Sequence, residues 1–293
     1  MMKTISTCAA IAATAVAVLW FSSESPSAQQ PATRPAAAKP AQPAGPWPPA
    51  TLKDGQPDVS GFYQSTAGGG GAGTNMEPIE GAMGRAGISP GIVVDPPDGM
   101  IPYLPWARAR RNEVQKDHLR PNQAQVDTRN RGWPDGVPRI NYYFVNPFEI
   151  RQTSGAVLIM YETQHEFRYI PIDGRPQPDS GVKMWMGSSR GRWEGTTLVV
   201  EVTNINDRVR YTVAGDFASD DVKITERWQW TDADTVKYSA TFEDPKVYSR
   251  PFTIAKVIKR LHEKNFEILE YAGVEGEKDA HLMVDIPATL NKK

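Results

Sequence analysis

The chain has almost no cysteine: Cys8 is the only one among 293 residues, and it lies in the first thirty. From about residue 29 onward there is therefore no disulfide, no thiolate nucleophile and no cysteine-based metal site. Histidine is nearly as scarce. His118, His165, His262 and His281 are scattered, with no H-x-H or H-E-x-x-H spacing, so no metal is expected. Charge of one sign is missing too. Thirty-three Lys and Arg against 34 Asp and Glu leave a formal net charge of −1, with no basic block, which argues against nucleic acid as a partner. No apolar run after the N-terminal segment is long enough to cross a bilayer.

The ends are informative. "MMKTISTCAAIAATAVAVLWFSSESPSAQQ" places Lys3 before an apolar run from about Ile5 to Phe21, then small residues around Ala28. That is the plan of a secretory signal peptide cut after Ala28, and it predicts export to the periplasm or cell exterior. Residues 29–50 are Pro/Ala-rich and predict an extended, semi-rigid spacer. Residues 51–293 then form a single β-rich domain of about 240 residues.

Within it, "DGQPDVSGFYQST" predicts a turn and a short strand, and "AGGGGAGTN" a flexible loop without the Lys-Ser/Thr of a phosphate-binding loop. A helix is expected from Pro105 to Lys116, with Arg108, Arg110 and Arg111 on its solvated face. Beyond Pro147, segments such as "GAVLIMYET", "HEFRYIPID", "TTLVVEVTNI", "DVKITERWQW", "TVKYSATFED", "FTIAKVIKRL" and "NFEILEYAG" are rich in β-branched and aromatic residues and separated by turn residues. They predict a mainly β fold, an antiparallel meander forming a closed or strongly curved, lipocalin-like barrel. One short helix and long N-terminal loops would complete it, with residues 76–146 packed over the barrel.

Period-two alternation sorts side chains by face. Run straight through, "YETQHEFRY" puts Tyr161, His165, Phe167 and Tyr169 inward, and Glu162, Gln164, Glu166 and Arg168 in solvent. "VKITERWQW" puts Glu226 in a row with Val222, Ile224, Trp228 and Trp230, and "FEILEYA" groups Phe266, Ile268 and Glu270. His165 is then either a hydrogen-bonded residue at the core rim or a proton-transfer group. Glu226 and Glu270 are either halves of buried ion pairs, with Arg190, Arg192, Arg208 or Arg210 opposite, or carboxylates with raised pKa. "DFASDDVK" (216–223) reads as a solvated acidic turn.

"GSSRG" satisfies the G-x-S-x-G pattern of a nucleophilic serine, but Ser189 is followed by a turn and a strand instead of the helix such an elbow needs. Arg190 and Arg192 beside Trp193 are better suited to holding an anion.

Several blocks, among them "GRWEGTTLVV", "GVPRI", "DGQPDVSGF" and "EILEYAGVEG", resemble a widespread group of uncharacterised exported bacterial proteins. The resemblance implies export and a shared β-rich fold and names no reaction. Its pattern has aspartate where Ser188 stands and cysteines near Gly132 and Gly273, which are absent here.

Besides an envelope-associated structural protein displayed on the Pro/Ala spacer with an exposed patch around Trp106, Trp185 or Trp193, two functions are expected from these features. One is a cofactor-free acid/base enzyme, a lyase, isomerase, cyclase or hydrolase, acting on a small apolar or aromatic molecule. His165, Glu226 and Glu270 would be catalytic, with Tyr161, Phe167, Tyr169, Arg190, Arg192, Trp193, Trp228 and Trp230 around the substrate. The other is a non-catalytic carrier using the same cavity.

Overall fold

The computed structural model describes residues 47–66, 75–80, 88–89, 91–116, 125–143 and 146–271, all within the second of two units, Ala38–Lys293. The expected signal peptide, most of the spacer and of the glycine-rich loop, Cys8, His118 and His281 lie outside the described residues.

Nine antiparallel strands form one curved sheet. They are β1 (Gly61–Ser65), β5 (Pro147–Thr153), β6 (Ala156–Tyr161), β7 (Phe167–Pro171), β8 (Ser188–Glu194), β9 (Thr197–Thr203), β10 (Lys223–Trp230), β11 (Thr235–Glu243) and β12 (Phe252–Arg260). Their spatial order is β7-β6-β5-β1-β12-β11-β10-β9-β8. The early strand β1 thus bonds to both β5 and β12 and joins two meanders. A short β4 (Val93–Asp95) adds to β12, and β2 (Ile79–Glu80) pairs with β3 (Ile88–Ser89) apart from the sheet. The ends of the order, β7 and β8, lie side by side without a backbone ladder, so the barrel is nearly closed.

The mainly antiparallel β expectation therefore holds, with two strands that the sequence pattern hides. Pro147–Thr153 is a strand, and so is Ser188–Glu194, where glycines and arginines suggest a turn. "NFEILEYAG" goes the other way: its described residues form no strand. Gly191 explains β8. A Cβ there would meet Cγ2 of Ile170 at 2.8 Å and of Ile172 at 3.0 Å, so its missing side chain lets β7 close onto β8.

Inside the sheet, rings take up the space. Phe148 lies 6.0 Å from Tyr63, 5.5 Å from Tyr161 and 6.0 Å from Trp228, and Tyr238 sits 4.8 Å from Trp228. The helix α1 (Pro105–Lys116) has its expected bounds, but its arginines do not all face water. Arg111 is buried against Asp216 at 3.0 Å and Glu77 at 3.3 Å, and Arg108 reaches Glu77 at 2.8 Å. Asp216, expected in a solvated turn, is thereby a buried ion-pair partner, leaving Arg110 outside. A second helix, α2 (Arg139–Tyr142), is buried at all four positions. Arg139 is fully enclosed there, bidentate to Asp127 at 2.8 and 2.9 Å.

Gly191→Ala should overpack the β7–β8 approach and cost about 1–3 kcal/mol. Calorimetry should show this as roughly 2–4 °C of Tm per kcal/mol; an unchanged Tm would mean that the seam has slack.

Candidate functional site

Glu226 stands midway along β10, fully buried, in the expected row with Val222, Ile224, Trp228 and Trp230. Its partner is Arg168, not Arg190, Arg192, Arg208 or Arg210. The reason is a tight turn at Thr163–His165, in which Gln164 and His165 both take a φ of 54°. The turn inverts the alternation that follows. Phe167 is 68% and Tyr169 46% exposed, while Arg168 and Ile170 point into the core.

Around Glu226, Tyr238 donates to Oε1 at 2.7 Å and Asn141 of α2 donates to the same oxygen at 2.9 Å. Tyr161 donates to Oδ1 of Asn141 at 2.7 Å, and Nε of Arg168 donates to Ser189 Oγ at 2.9 Å across the seam. Burial alone would lower the Arg168 pKa, but the Glu226 charge outweighs it and the guanidinium is held above its ordinary range. Burial first, then the Glu226 charge, pushes Tyr238 far up, so its phenol stays protonated and donating. Ser189 is thus a buried strand residue accepting from an arginine, and it lacks the elbow geometry of a nucleophile. One N–H of Arg168 and the indole N–H of Trp228 have no protein acceptor among the described residues.

The expected catalytic group does not assemble. Nε2 of His165 lies 3.9 Å from Oε1 of Glu270 on the outside, where the two side chains are 52% and 85% exposed. Glu226 is sealed in the core. Of the expected substrate residues, Tyr161, Trp228 and Trp230 are buried, Trp230 also lining a cleft at one end of the barrel, and Phe167 and Tyr169 are outside. Arg190 is tied to the carbonyls of Arg175, Pro176 and Ser189 at 2.7–3.0 Å. Arg192 sits outside, between Glu194 at 3.1 Å and Glu201 at 3.4 Å. Trp193 bonds Gln56 through its indole at 3.3 Å and packs 5.8 Å from Trp230.

The concavity with mixed chemistry is at one end of the barrel. A cleft of about 330 Å³ is walled by Trp47 and Trp230, with Val59, Ser60, Arg260 and His262 around it. Long-range folding builds it. Trp230 ends β10, Arg260 ends β12, and Asp234 belongs to the β10–β11 turn. His262 Nε2 lies 2.6 Å from Asp234 Oδ1, and only 17% of that histidine side chain is exposed. Arg260 is fixed by the carbonyls of Ser60 at 2.7 Å and Ala233 at 2.9 Å, and it bonds the hydroxyl of Tyr63, whose ring it also covers at 4.7 Å. Burial, partly opposed by Arg260, pushes the Tyr63 phenol up to about 12. Indole walls, a fixed guanidinium, a carboxylate-held imidazole and the Asp58 carboxylate give the cleft flat apolar faces beside polar groups of both signs. Another cleft of similar size, along Leu52–Asp54 and Gln152–Ser154, has no ring in its lining.

The sequence pattern suggests an exposed turn for His262 and a spacer for Trp47. No local signal joins them, because their partners come from β1, β10 and β12. No family model matches the chain, and no curated protein or solved structure matches it significantly.

Two outcomes check this layout. Arg168→Met strands a buried carboxylate and should cost about 3–5 kcal/mol in urea unfolding, while adding Glu226→Leu should recover much of the loss. If the double variant is as damaged as the single one, the stranded charge is not the cause of the loss. Glu166, half-buried beside the tight turn, has its carboxyl pushed up to about 7 by burial and by Asp135. Raised above its unfolded value, it binds its proton more tightly in the folded state, so ionisation costs stability as pH rises from about 4.5 to 7. Glu166→Gln should therefore match the native Tm near pH 4 and exceed it at pH 8. Equal Tm values at both pH values would show that the carboxyl is not perturbed.

Proposed function

We propose that this is an exported small-ligand binding protein that holds a flat aromatic carboxylate in the cleft between Trp47 and Trp230. The observation that carries the reading is the division of the polar groups. The core carboxylate Glu226 is locked by Arg168 beneath a ring-filled interior, whereas Arg260 and His262 border an open, indole-walled cleft. The cleft's volume is at the small end of the range for ligand pockets, roughly 300–1,000 Å³. Export rests on the leader-like N-terminus and the Pro/Ala spacer.

One observation favours an acid/base enzyme as the second reading. The His262–Asp234 contact of 2.6 Å is the arrangement that orients an imidazole for proton transfer, and it borders the same cleft. The expected role of His165 as proton carrier moves, in that reading, to His262.

Titration of the protein with p-coumarate, followed by tryptophan fluorescence, tests both. Binding predicts saturable quenching, weakened on the order of tenfold by Trp47→Ala, with the ligand recovered unchanged. Conversion of the ligand that stops in His262→Asn would replace carrier by enzyme. Absence of saturation up to millimolar ligand, or full binding by Trp47→Ala, would remove the cleft as the site.

A further inference from the structure

A second surface, built from side chains the cleft does not use, carries guanidiniums that form no ion pair among the described residues. It begins with the stretch Arg208-Val209-Arg210, whose alternation buries Val209 and leaves Arg208 exposed and Arg210 partly so. The Trp133 and Trp185 rings lie 4.8 Å apart, and the Arg208 guanidinium stands 4.3 Å over the first and 5.3 Å from the second. Farther along, Arg110 of α1 covers the Phe217 ring at 4.5 Å, with Trp106 5.9 Å from the same ring.

Among the described residues, Arg110, Arg208 and Arg210 form no ion pair, in contrast to Arg108 and Arg111 on the same helix as Arg110. The acidic groups beneath are already committed. Asp127 and Asp135 are matched by Arg139 and Arg129, a buried quartet with no charge to spare, and Arg139 also donates to the Arg210 carbonyl at 2.9 Å. Aromatic faces stabilise a guanidinium but leave its charge in place. The guanidiniums feel one another: burial, then Arg110, pushes the Arg210 pKa down, and burial, then Arg208, does the same to Arg131. Asp127 opposes this only in part at Arg210, and arginine does not shed its proton at physiological pH, so an anion from outside would relieve the remaining repulsion.

We propose that Arg208, Arg210 and Arg110, flanked by the Trp133–Trp185 pair and by Phe217, form a binding surface for a carboxylated polysaccharide. The forked guanidinium matches a carboxylate in plane, and indole faces pack against sugar rings. Cations spread along the surface, with rings at both ends, fit an extended chain of charged sugars better than a single small ion. The expected export places the domain where such chains are met.

The test is affinity electrophoresis or calorimetry of the purified protein with polygalacturonate, neutral dextran and short single-stranded DNA. Polygalacturonate should bind saturably at low salt and weaken as salt rises, and dextran should not bind. Arg208→Gln/Arg210→Gln should weaken polygalacturonate binding on the order of tenfold or more, with p-coumarate binding in the cleft unchanged. Should that variant misfold, the exposed Arg208→Gln alone should reduce affinity without moving Tm. Undiminished binding by a folded variant, no binding at low salt, or tighter binding of the DNA would each overturn the proposal.

Discussion

One buried ion pair ties the closing edges of the sheet to its cover. Glu226 on β10 receives Arg168 from β7, Tyr238 from β11 and Asn141 from α2, while Arg168 also reaches Ser189 on β8. Five elements thus converge on one charge pair in the layer where the sheet fails to close by backbone bonding. A charge pair in so dry a place is not a strong source of net stability, because desolvation opposes its attraction. What it contributes is registration. Arg168 finds its acceptors only when β7 lies against β8 and α2 covers the barrel, so the pair selects one closed arrangement.

That placement bears on function. The same carboxylate that alternation picks out as costly, and so as a potential catalyst, is consumed by architecture. The polar groups that are not locked into this core are Arg260 and His262, which border the end cleft, and Arg208 and Arg210 on another surface. The division follows from charge matching. The buried acids Asp127, Asp135, Asp216 and Glu226 each have an arginine within ion-pair distance, while Arg208 and Arg210 form no ion pair among the described residues.

Much of the frame is legible in the sequence. Pro105 marks the start of α1, and alternation in "VKITERWQW" orders the inward row of β10 residue by residue. The failures have local causes. The inward set of "YETQHEFRY" is inverted because Gln164 and His165 adopt positive φ, a conformation that neither residue type announces. β8 is hidden because Gly191, there for closeness to Ile170, reads as a turn residue. The stretch leading to Arg139 in "GVPRI" does carry a usable signal: Asp127, Arg129, Asp135 and Arg139 bring both signs together within a short span, as a self-paired cluster would. The cleft is beyond local patterning, since Trp47, Ser60, Trp230 and His262 meet only after the sheet has curled.

The open seam has a consequence for how copies of this chain meet one another. β7 and β8 each carry a row of backbone donors and acceptors without a ladder partner across the seam, the kind of edge along which proteins pair with their neighbours. Here each edge screens the other, and Arg168 is the latch between them. Were the latch to open, one molecule would offer two complementary edges at once, and a second copy could take the place of the missing partner strand at each. The contact that shapes the core is thus also the one that keeps those two edges facing each other.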